Sequence, residues 1–78
     1  MNAAISCIED TLRLLMEEAK QAKKSATASG GGGFEVGRSA ALADTLHTWA
    51  NQLQTFGLDG QLDGTWAELR SYLTSQGY

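Results

Sequence analysis

Apolar residues recur at steps of three and four over two long stretches of this chain, separated by a run of glycine. In the second stretch Leu42, Leu46, Trp49, Leu53 and Phe56 alternate at spacings of four and three, which lays all five on one stripe of an α-helix. The stripe runs out at Phe56-Gly57-Leu58. Glycine just past the last periodic residue can adopt the left-handed conformation that closes a helix, with Leu58 and Leu53 placed to make the accompanying apolar contact. The pattern predicts helix two over about residues 35–56. Glu35 falls in its first turn, where a carboxylate suits the helix dipole, and Phe34 and Val36 are expected to fold onto the start of the bundle.

The first stretch carries Ile5, Ile8, Leu12, Leu15, Ala19 and Ala22 at consecutive a and d positions of a heptad. Its composition favours helix, and the pattern predicts helix one over about residues 3–24. Cys7 and Leu14 form a second, weaker stripe to the side, and Met16 widens the main seam on its other flank. A helix wetted on so few sides touches two neighbours. Helix two would be one, and helix three or another chain the other.

Residues 25–33, SATASGGGG, read as a flexible connector long enough to return the chain antiparallel. Residues 57–64 hold two Asp-Gly steps and read as a turn. Thr65-Trp66-Ala67-Glu68 has the form of a capping box, which begins a short helix three over about 65–75. Trp66, Leu69 and Leu73 would be its inward stripe, with Tyr72 alongside. Gly77-Tyr78 should fray.

The expected architecture is therefore all-α: an antiparallel hairpin of helices one and two, with helix three folded across one end. A chain of 78 residues makes at most one domain. So short a chain, without a disulfide pair, often completes its core by association, and a homodimer with a four-helix core is the assembly this length suggests.

Charge narrows the partners. A net charge of −3 gives no general attraction to nucleic acid or anionic membrane. The single cysteine, Cys7, has no internal partner, and the amino-terminal sequence has no basic leader followed by an apolar run. Both point to a cytoplasmic protein that does not span a membrane.

Three patterns touch on chemistry. Gly32 to Ser39 has phosphate-loop spacing with Arg38 in the lysine position, but it follows a helix rather than the strand that mechanism needs. Asp59, Gln61, Asp63 and Gly64 match the first half of a calcium loop, whose twelfth position here holds Arg70 instead of the bidentate glutamate. Asp44 and His47 share the polar face of helix two at the spacing of an acid–base pair, where a solvated surface is the plainer reading. Cys7 reads as a small apolar residue, with no cation near enough to activate its thiol. None of these builds an active site, so no enzyme, cofactor or metal is expected.

What remains is a protein–protein interaction module, an adaptor, inhibitor or accessory subunit working through an apolar helical face. Its expected core and interface anchors are Ile8, Leu12, Leu14, Leu15, Leu46, Trp49, Leu53, Phe56, Trp66 and Leu69. The alternative is a DNA-binding helix–turn–helix regulator using helices two and three, although nucleic acid is a poor partner for a third helix whose one cation is Arg70.

Overall fold

The structure, a computed structural model, describes residues 2–28, 30 and 33–78. Three α-helices make up the fold: α1 (Ala3–Ala28), α2 (Gly33–Thr55) and α3 (Asp63–Ser75), with a 3₁₀ turn at Asp59–Gln61 before α3. Among the described residues there is no strand.

Asn2 caps α1, its Oδ1 accepting from the amides of Ala4 at 3.0 Å and Ile5 at 3.3 Å. The helix runs four residues past its expected end, into what the composition marked as connector. Small residues explain this. Ala19, Ala22 and Ala26 of α1 and Ala43 and Ala50 of α2 are all buried, and side chains of this size let two helices approach closely without loss of rotamer freedom. Through buried Ala26 the last turn of α1 gains packing that its own propensity does not supply. Of the remaining expected connector, residues 29, 31 and 32 lie outside the described residues.

Helix α2 ends as the Gly57 signal requires. Gly57 has φ +69°. The Leu58 amide donates to the Leu53 carbonyl at 2.8 Å and the Gly57 amide to the Gln54 carbonyl at 3.0 Å, the paired bonds of a Schellman cap. A second cap of the same kind closes α3. Gly77 has φ +90°, the Tyr78 amide donates to Leu73 at 3.0 Å, and the Gly77 amide donates to Thr74 at 3.1 Å. The expected fraying at Gly77-Tyr78 is therefore replaced by an ordered stop.

Helix α3 does not fold across one end of the hairpin. It lies along it, parallel to α1: Thr65 meets Glu9, Glu68 meets Arg13 at 3.7 Å, and Gln76 meets Lys23 at 3.2 Å. Just past its carboxyl end the chain reaches α2, where the Tyr78 hydroxyl donates to Asp44 Oδ1. The molecule is a three-helix up–down–up bundle of 43 × 21 × 16 Å.

This placement resets the core. Leu12, Met16, Leu46, Leu53, Leu62, Leu69, Tyr72 and Leu73 join Ala19, Ala43 and Ala50 in one cluster. Met16, expected on the flank of the seam, is buried while Leu15 is half-buried, because α3 packs on the Arg13–Met16–Lys20 side of α1. Burial raises the Tyr72 hydroxyl above its ordinary pKa of 10.0 by desolvation.

The capping box does not form. Helix α3 begins at Asp63, and Leu62 occupies the cap position without a side-chain bond. Asp63 sits at φ +46°, a left-handed angle that aspartate tolerates better than most side chains. Thr65, in the first turn, is the one buried polar side chain among the described residues, and it turns its hydroxyl to Glu9 at 3.1 Å.

Candidate interaction surface

Helix α3 occupies only one side of the α1–α2 hairpin. On α1, α3 meets Glu9 and Arg13, and the residues just past it, Gln76 and Tyr78, reach Lys23 of α1 and Asp44 and His47 of α2. The opposite side is open. There α1 presents Cys7, Leu14 and Gln21 at seven-residue steps, and α2 presents Leu42, Trp49 and Phe56 at the same steps, each series forming a line along its helix. Leu14, Glu17, Glu18 and Gln21 share a surface cleft with Arg38 of α2, which places the two lines on one face of the bundle.

Exposure on this face is high for apolar side chains. Leu14 is 59% exposed and Phe56 72%; Cys7 is exposed with a free thiol. Leu15, Leu42 and Trp49 are half-buried, packed on the core from beneath. Arg38 leans on Glu35 at 3.7 Å. The face is apolar toward the amino end of α1 and the carboxyl end of α2, and charged toward the other end.

The ten expected anchors thus divide by environment. Leu12, Leu46, Leu53 and Leu69 are buried in the core. Ile8, Leu15, Trp49 and Trp66 are half-buried against it, so neither tryptophan is the fully enclosed anchor that its size suggested. Leu14 and Phe56 stand in solvent. Leu62, fully buried, escaped sequence reasoning because it sits among turn residues. The signal was there in its four-residue spacing from Leu58 and seven-residue spacing to Leu69.

Phe34 and Val36 do not fold onto the bundle. They are 80% and 48% exposed. Helix α3 is 13 residues long against 26 for α1, so it ends near Lys23 and leaves the connector end of the hairpin uncovered. Val36 borders a shallow cleft with Lys23, Ala26, Thr27 and Ser39.

The patterns suggestive of chemistry resolve into structure. Gly33 to Ser39 of the phosphate-loop spacing is the first two turns of α2 and forms no cradle; Gly32 lies outside the described residues. The calcium-like segment becomes the 3₁₀ turn and the start of α3, and among the described residues no three His, Cys, Asp or Glu side chains gather as a metal would require. Asp44 accepts from Tyr78, whose ring lies 4.5 Å from the His47 ring at 33°. Tyr78 thus docks on the pair that spacing suggested for proton transfer. Helix α3 carries Glu68 in its ion pair with Arg13 and holds Arg70 half-buried, a weak electrostatic surface for DNA.

Among the described residues no helix is long and apolar enough to cross a membrane. Comparison with protein-family models, with curated proteins and with solved structures finds no match to this chain.

Proposed function

We propose that this protein is a small non-enzymatic interaction module, an adaptor, inhibitor or accessory subunit that binds protein through the open side of its hairpin. The observation that carries this reading is the exposure of Leu14 and Phe56 on the side that α3 leaves bare. Large apolar side chains in solvent, next to half-buried Trp49, Leu42 and Leu15, make the kind of patch that protein interfaces use. A non-enzymatic role is supported by the engagement of Asp44 and His47 with Tyr78, and a cytoplasmic one by the exposed, unpaired Cys7 thiol.

A photo-reactive amino acid at position 14 tests the reading, with the same probe at exposed Asn51 on another side of α2 as control. Adducts that form in cells from position 14 and not from position 51, to another protein or to a second copy, are the expected result. Equal labelling from both positions, or none from either, would sink it.

A further inference from the structure

We draw no further inference here: the strongest candidate, the exposed apolar patch of Leu14 and Phe56 on the open side of the α1–α2 hairpin, belongs to the surface already described, and nothing in the structure shows what covers it.

Discussion

Thr65 donates its hydroxyl hydrogen to Oε2 of Glu9 at 3.1 Å, joining the first turn of α3 to the second turn of α1 across 56 residues of sequence. The threonine is wholly buried and the glutamate half-buried, so neither exchanges this partner freely for water. Thr65→Val keeps the shape and removes the donor. It should cost about 1 kcal/mol, more than an exposed hydroxyl would. A double-mutant cycle with Glu9→Gln, followed by urea denaturation, isolates the pair. A coupling energy near zero would show that the bond contributes nothing beyond packing.

Leu12 and Leu14 lie two residues apart on α1 with opposite surroundings, one fully buried and the other exposed. Leu12→Ala should cost about 2–5 kcal/mol, a large share of the roughly 4–12 kcal/mol expected for a chain of this length. Leu12→Asp should abolish folding and association together. Leu14→Asp should leave helicity intact. Equal loss of ellipticity in the two aspartate variants would contradict this division of α1.

Gly57 and Gly77 both hold left-handed backbone at the ends of helices, with φ of +69° and +90°. Alanine at either should cost about 1–2 kcal/mol from the clash of its Cβ with the following carbonyl. Gly37 is the counter-case. It lies inside α2, and a Cβ added there would meet nothing within 4 Å, so Gly37→Ala should stabilise by about 0.5–1 kcal/mol through backbone entropy. Thermal melts of the three variants should shift in these two opposite directions.

Tyr72 gives the fold a pH dependence at its alkaline edge. Desolvation raises its pKa in the folded state above 10.0, so the unfolded chain releases the proton first as pH rises. Its stabilising contribution is fully present below pH 10 and is lost as pH climbs through the folded-state value. Urea midpoints should therefore fall above pH 10 in the native protein, and fall less steeply in Tyr72→Phe.

Local patterning determined the helices of this protein. Spacings of three and four fixed α1 and α2 because side-chain direction along a helix follows sequence directly, and Gly57 fixed the end of α2 because only its backbone geometry mattered. The face that leaves Leu14 and Phe56 in solvent was half legible: Cys7 and Leu14 stood out as a second stripe. Which neighbour would cover that stripe was not written in α1. Helix α3 carries too few apolar positions to declare its own docking direction, and its alignment along the hairpin rests on contacts such as Thr65 with Glu9 of α1 and Tyr78 with Asp44 of α2, between residues far apart in the chain. Those contacts buried Met16 and Leu62, drew Thr65 away from a capping role, and ordered Gly77 and Tyr78. Short-range order follows from the repeat of the backbone, whereas the choice of neighbour depends on summed packing across all three helices, which only the assembled tertiary structure supplies.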